Sequence, residues 1–167
     1  LVADGDRRDT VIVGRKVPGS PSFPYYDAFN AGFSPEAIRG VAMAEDTFLK
    51  GFTVSNCSVN ACDRSPMVDN ALGAGILCKD GSARVEDCDI TDCAAYYAGC
   101  VYGGVFRRCR MTRGLVLSNG GCFFESTCHN CFFDQAADGM GHNARGLYSC
   151  TFGPNNRYFG FTSGTVS

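Results

Sequence analysis

The stretch VEDCDITD at residues 85–92 is followed, 21 positions later, by FRRCRMTR at residues 106–113. Superposing the two places Cys88 on Cys109 and replaces every acidic residue of the first stretch by an arginine in the second. The superposed charges are Glu86 with Arg107, Asp87 with Arg108, Asp89 with Arg110 and Asp92 with Arg113. A charge-inverted copy around a shared cysteine indicates a repeat whose copies lie side by side.

Two short units recur along the chain. The first is a polar residue, a cysteine, any residue and an apolar residue: NCSV at Cys57, DCDI at Cys88, RCRM at Cys109, NCFF at Cys131 and SCTF at Cys150. The second begins with glycine: GVAM from Gly40, GILC from Gly75, GCVY from Gly99 and GCFF from Gly121. Two short strands therefore recur with a period of about 20 residues.

The repeat has an inside and an outside. Each cysteine shares a strand face with the apolar residue two positions later, and the polar neighbours lie on the opposite face. No segment shows sustained 3.6-residue periodicity, and the frame of leucine-rich repeats is absent. We therefore predict a parallel β-helix, in which rungs lie ~4.8 Å apart and equivalent side chains stack.

Stacking explains the inverted charges. The acidic and basic stretches lie on neighbouring rungs with Cys88 over Cys109 inside, and their outward charges form cross-strand ion pairs. Each exposed pair is worth about 0.2–1 kcal/mol, so the pairs set the register more than the stability. Arginine neighbours are expected to lower the pKa of Asp87 and Asp89 and keep both ionised, whereas a general acid requires the reverse.

The segments GFTVSNCSV from Gly51, VEDCDITDC from Val85 and GCVYGGVFRRCRM from Gly99 resemble repeats of secreted or surface-attached bacterial right-handed parallel β-helix proteins of the pectin-lyase-like class. The resemblance covers about residues 40–152, and TVIVG at Thr10–Gly14 resembles an earlier rung. It implies an all-β, single-stranded right-handed solenoid of five or six rungs with loop insertions on one side. The motifs are specific for the architecture and do not identify an activity.

The composition favours one domain without nucleic acid or membrane partners. We predict a single β-helix domain over residues 1–167, a segment of a longer chain, with inserted loops at 15–39 and 60–74. The C-terminal RYFGFTSGTVS is expected to supply a strand or cap. A formal net charge of −2 creates no field that attracts nucleic acid. No stretch approaches the ~18 apolar residues that would span a bilayer.

Insertions recur at one place, after the cysteine-bearing strand and before the next glycine-led strand. They cover residues 15–39, 60–74, 94–98, 114–120 and 134–145. Because every rung repeats the same path, these loops are expected on a single side, which in repeat proteins often binds ligands. Aromatic rings with a hydroxyl at the edge suit sugars. The candidate ligand-binding residues are Tyr25, Tyr26, Phe29, Tyr96 and Tyr97. The alternative is that these rings pack onto the flank and hold the loops down.

The 11 cysteines predict mostly reduced, buried thiols, with room for one or two disulfides in the loops. Cys128 and Cys131 form a C-x-x-C, but on one strand they would face opposite ways, and no second pair completes a zinc site. We expect neither metal nor cofactor. The repeated C-x4-C spacing predicts Cys62 beside Cys93, and the glycine-led units predict Cys100 beside Cys122.

The weak catalytic candidates are Asp134, Asp138 and His142, in FDQAADGMGHNAR at residues 133–145. The GHN triplet resembles the Gly-His-Gly of polygalacturonases without its last glycine, and the paired aspartates expected upstream are missing. We therefore expect a non-enzymatic module, secreted or at the cell surface, with a structural or adhesive role and a polysaccharide or surface glycan as ligand. The alternatives are a polysaccharide lyase or glycoside hydrolase, and a filament subunit that associates end to end through an uncapped coil end.

Overall fold

The structure is a computed structural model that describes residues 1–18, 32–60, 71–119, 121–136 and 141–155, without the side chains of residues 117–119. Regular structure in these ranges consists of β-strands, apart from isolated bridges, turns and one residue of 3-10 helix at Ala71. These ranges contain no helix that could cross a membrane.

Each rung contributes one strand to each of three parallel sheets. The first sheet contains β2 (Val41–Met43), β5 (Ile76–Cys78), β8 (Val101–Tyr102), β11 (Phe123–Phe124) and β14 (Gly141–His142). The second contains β3 (Phe48–Lys50), β6 (Arg84–Glu86), β9 (Val105–Arg107), β12 (Thr127–His129) and β15 (Gly146–Tyr148). The third contains β1 (Val11–Val13), β4 (Thr53–Ser58), β7 (Asp89–Tyr97), β10 (Arg110–Asn119), β13 (Phe132–Asp134) and β16 (Thr151–Phe152).

The predicted all-β parallel β-helix is therefore confirmed, with five rungs in the described ranges and β1 as part of an earlier one. The sequence predicted two strands per rung, and the structure has three. The additional strand of each rung belongs to the second sheet. The three-residue strands of this sheet contain no cysteine except Cys128, so they lack the residue by which the repeat was recognised.

At the corner between the second and third sheets, a single residue with positive φ turns the chain on each rung. The corner between the second and third sheets is formed on successive rungs by Gly51, Asp87, Arg108, Asn130 and Ser149, with φ between 51° and 82°. One left-handed residue turns the chain sharply without a loop, and glycine and asparagine adopt this conformation at the lowest cost. The polar residue before each repeated cysteine is therefore the corner itself.

The interior consists of stacked ladders of buried side chains. The second sheet contributes Leu49, Val85, Phe106, Cys128 and Leu147, and the third contributes Val54, Ile90, Met111 and Phe133. Cys88, Cys109, Cys131 and Cys150 stack at the intervening corner, because their successors Asp89, Arg110, Phe132 and Thr151 are in register. Cys88 thus lies over Cys109, as the superposed sequences predicted.

The charge ladder also forms, with two exchanged partners. Arg108 reaches Asp87 and Glu86, and Arg113 lies 3.6 Å from Asp92. Arg110 is in register with Asp89 but lies over the ring of Phe132, 5.5 Å from its centroid. Asp89 instead pairs with Arg7 at 3.4 Å. The register between β7 and β10 was therefore predicted correctly, whereas two of the four predicted ion pairs were not.

Cys57 belongs to a different column from the one predicted. It is in register with Cys93. Phe52 occupies the position next to Cys88 where Cys57 was predicted, because Thr53, which follows Phe52, aligns with Asp89. The error arose because two corners have the same form: Asn56 and Asp92 also have positive φ and also precede a cysteine. Cys62, predicted beside Cys93, lies outside the described residues.

The long connections share one corner, between the third sheet and the following first sheet, as predicted. Two of the predicted insertions are wrong in part, because residues 94–97 and 114–119 continue strands β7 and β10. A bend at Asp92 and Arg113, both of positive φ, redirects these strands without ending their pairing. The predicted cap RYFGFTSGTVS lies outside the described residues.

Candidate functional site

The outer surface of the second sheet presents its side chains in two straight columns. Strand alternation sends the middle residue of each three-residue strand inward and the two flanking residues outward. We call this surface the second-sheet face; it consists of Phe48, Lys50, Arg84, Glu86, Val105, Arg107, Thr127, His129 and Tyr148. Exposed cations and aromatic rings therefore recur at the rung spacing of ~4.8 Å.

An open cleft of 430 Å³ lies where strands β3 and β6 end. Its walls are Ala3, Gly5, Arg7, Lys50, Gly51, Asp87 and Arg108. Ala3 lies beside the cleft because its neighbour Val2 pairs with Lys50 and extends the second sheet beyond β3. The cleft thus combines three cationic side chains with one carboxylate.

A second open cleft, of 400 Å³, lies where the same two strands begin. It is lined by Asp46, Thr47, Phe48, Ser82, Arg84 and Glu86. Asp46 is held in place through its backbone N–H, which donates to the Ser82 hydroxyl at 2.8 Å. Since Phe48 and Glu86 are outward residues of β3 and β6, the two clefts are the ends of one surface.

Two acids of this surface, Glu86 and Asp87, are already paired. The Arg108 guanidinium donates to Asp87 Oδ1 at 2.7 Å and to Glu86 Oε2 at 2.8 Å, and Lys50 Nζ lies 3.7 Å from Asp87 Oδ2. The hydrogen bonds from Arg108 hold the pKa of Asp87 below its usual range. Asp87 is therefore a fixed anion and has no proton to donate at neutral pH.

The other end of the second-sheet face is aromatic. His129 and Tyr148 stack with ring centroids 4.6 Å apart and an interplanar angle of 12°. The Tyr148 ring leans over Gly146, where a Cβ would lie 2.6 Å from the ring, so the absence of a side chain at 146 makes room for it. Tyr148 keeps 37% of its surface exposed, as does Phe48.

The predicted aromatic residues are only partly within the described ranges. Tyr25, Tyr26 and Phe29 lie outside them. Tyr96 and Tyr97 are half-buried at the end of β7 and contact each other edge to face at 4.9 Å. Tyr97 also meets Phe124 at 6.0 Å, and Tyr96 packs against the core. These two rings have the packing contacts that the alternative interpretation expected.

Two of the three predicted catalytic residues are described, and they lie in different surroundings. Asp134 is 8% exposed and accepts hydrogen bonds from the backbone N–H groups of Gln135 and Asn155 and from the Asn155 side chain, at 2.9–3.1 Å. Burial acts to raise the pKa of Asp134, but these hydrogen bonds outweigh it and lower the pKa. His142 stacks on Phe124 at 4.9 Å in the first sheet. Asp138 lies outside the described residues.

The ten described cysteines are all free thiols, and nine are buried. The thiol of Cys100 contacts those of Cys93 and Cys122, as predicted for Cys122. The expectation for Cys128 and Cys131 is wrong, because Asn130 between them has positive φ and turns both side chains inward, where they touch. Within the described ranges, no group of three or more His, Cys, Asp or Glu residues is arranged to hold a metal ion.

Sequence reasoning missed the second-sheet face. The available signal was weak but present: FLK, RVE, VFR, TCH and GLY each have an apolar residue or cysteine between two outward positions, in register on successive rungs. Three-residue strands do not establish a period of two by themselves, so this signal becomes readable only once the rung length is known.

No family model, curated protein or solved structure matches the chain.

Proposed function

We propose that this chain is a non-enzymatic interaction module of a secreted or cell-surface protein, and that it binds a polysaccharide along the second-sheet face. One observation carries the proposal: exposed cations and aromatic rings lie in two columns along the second-sheet face, and open clefts of 430 and 400 Å³ flank its strands β3 and β6. A polymer with a regular repeat is the class of ligand that benefits from side chains repeated at regular intervals along a rigid axis.

The chemistry of the acids supports binding rather than hydrolysis. Glycoside hydrolysis requires one carboxyl group of raised pKa beside a second, ionised one. Asp87 is held ionised by Arg108, and Asp134 is occupied by Asn155 and Gln135. The alternative of a polysaccharide lyase or glycoside hydrolase therefore has less support than the binding module. Burial of nine thiols is compatible with an oxidising location, because it shields them from oxidants.

Affinity electrophoresis against a panel of neutral and charged polysaccharides tests the proposal. We expect retardation of the wild type, weakened several-fold in Tyr148→Ala and in Arg107→Ala. Arg113→Ala is the matched control, because Arg113 is an exposed arginine of the third sheet and should leave binding unchanged. The same incubations are assayed for new reducing ends and unsaturated products. Turnover of any polysaccharide, or equal binding by all variants, would contradict the proposal.

A filament subunit is a second candidate, favoured by the open end of the coil. Among the strands that the structure describes, β1 pairs with β4 alone, and β2 pairs with β5 alone. Val11 and Val13 at this end are 47% and 63% exposed, and no charged side chain interrupts the Val11–Val13 strand. Such an edge is a template for pairing with another chain. Sedimentation velocity over a concentration series tests it, with Ile12→Pro expected to abolish any assembly.

A further inference from the structure

Four thiols meet at the C-terminal end of the described coil. Cys131 contacts the thiols of Cys109, Cys128 and Cys150. Cys109, Cys131 and Cys150 belong to one stacked column, and Cys128 reaches it across the corner at Asn130. Cys150 also donates to the carbonyl oxygen of Cys128 at 3.4 Å. We call these four residues the thiol cluster.

Cys150 differs from the other members of the cluster in exposure. It is the one described cysteine that is half-buried rather than buried. Its strand, β16, has two residues and, within the described part of the chain, pairs with β13 alone. A reagent in solution therefore reaches Cys150 first among the described cysteines, and the last described rung is the one most free to shift.

The geometry of neighbouring rungs suits a bond between Cys131 and Cys150. The backbone N–H of Thr151 donates to the carbonyl oxygen of Cys131 at 2.8 Å, which keeps the two residues in register. Rungs ~4.8 Å apart fall within the Cα separations of disulfides, which are about 4.4–6.8 Å, but closure requires the two Cβ atoms to approach slightly. Inner rungs are held from both sides and resist this movement, whereas among the described strands only β13 holds β16.

We propose that Cys150 and Cys131 form an oxidation site, at which a low-molecular-weight disulfide converts the two thiols into a disulfide that joins β16 to β13. The Cys150 thiol first loses its proton to solvent and attacks the small disulfide, giving a mixed disulfide and releasing one small thiolate. The Cys131 thiolate then attacks the Cys150 sulfur, closing the protein bond and releasing the second small thiolate. Two protein thiols lose two electrons and two protons, and one small disulfide becomes two thiols.

The surroundings of Cys131 support its role in the second step. Hydrogen bonds from the thiols of Cys109, Cys128 and Cys150 lower the pKa of Cys131 despite its burial. The Cys131 sulfur therefore lies among three thiols, next to the Cys150 sulfur that it must attack.

The test is oxidation of the folded full chain with glutathione disulfide, followed by mass spectrometry and peptide mapping. We expect the loss of two hydrogens, release of two equivalents of glutathione, and a Cys131–Cys150 bond. Hydrogen exchange should slow in residues 146–152, because the bond stops the last rung from opening. A bond between another pair, a glutathione adduct that persists at Cys150 in the wild type, or no reaction at all would overturn the proposal.

Three variants make the result specific. Cys150→Ser should not react at the cluster, and Cys131→Ala should retain glutathione on Cys150 because the resolving thiol is absent. Cys78→Ser is the matched control: Cys78 is buried beside the Met43 sulfur, 3.9 Å away, and lies outside the cluster. It should form the Cys131–Cys150 bond like the wild type.

Discussion

Asp87 and Arg108 occupy the same corner on consecutive rungs, both with φ of 53°, and the Arg108 Nε atom lies 2.7 Å from Asp87 Oδ1. A residue other than glycine in this conformation costs about 1 kcal/mol or more. The ion pair offsets part of that cost and holds two corners in line. Lys50, one rung earlier and 3.7 Å from Asp87, extends the ladder towards the N-terminal end.

Charge reversal tests this adjacency. Arg108→Asp removes three hydrogen bonds and places a third carboxylate beside Glu86 and Asp87, so we expect it to lower the free energy of unfolding. Adding Asp87→Arg should recover part of the loss, although the new arginine meets Lys50. Urea denaturation of the wild type, both single variants and the double variant gives the coupling energy. Additive effects would show that the two side chains do not interact.

The same pair predicts a loss of stability in acid. Because Arg108 lowers the pKa of folded Asp87, the contribution of the pair is fully present above the unfolded aspartate pKa of about 3.9 and is lost as the pH falls through the folded pKa. Unfolding free energies measured from about pH 6 to pH 3 should fall more steeply in the wild type than in Arg108→Ala. Parallel curves would contradict the assigned shift.

The architecture could be predicted from the sequence because stacked rungs repeat the same residue types at equivalent positions. The cysteines of DCDI, RCRM, NCFF and SCTF lie in one column, since each follows a corner residue that only a few residue types tolerate. The cysteines are favoured there because each thiol turns back onto the carbonyl oxygen two residues earlier, as Cys88 does to Glu86 at 3.2 Å. Cys57 also follows a corner residue with positive φ, and this shared pattern led to the wrong column being predicted for it.

The candidate site could not be predicted from the sequence in the same way. Binding was expected on the loop flank, where Tyr96 and Tyr97 lie, because insertions mark that side in the sequence. The second-sheet face has no insertion and only three-residue strands, so nothing local distinguishes Tyr148 or Arg107 from ordinary surface residues. Their alignment follows from the rung register, which depends on contacts about 20 residues apart in the chain.

Substitutions at Asn130 test whether the backbone conformation of the corner determines its effect on stability. Asn130 is exposed and has φ of 52°, which asparagine and glycine tolerate and β-branched residues do not. We expect Asn130→Val to lower the free energy of unfolding by about 1–2 kcal/mol, whereas Asn130→Gly should change it by less than about 0.5 kcal/mol. Thermal denaturation of the three proteins under identical conditions measures the difference. Equal destabilisation by both substitutions would mean that the asparagine side chain, and not the backbone, matters.

Strand β9 tests which side of the second sheet is the core. Phe106 is fully buried and stacks in register between Val85 and Cys128, whereas its neighbour Arg107 is exposed on the second-sheet face. Phe106→Ala leaves a cavity that rigid rungs cannot fill, so we expect a loss of about 3–5 kcal/mol. Arg107→Ala, one position away on the same strand, should stay within about 0.5 kcal/mol of the wild type. Denaturant titration of the two variants compares them directly. Since a register shifted by one residue would exchange the two side chains between inside and outside, a larger effect at Arg107 than at Phe106 would contradict the stacking of β9 on β6 and β12.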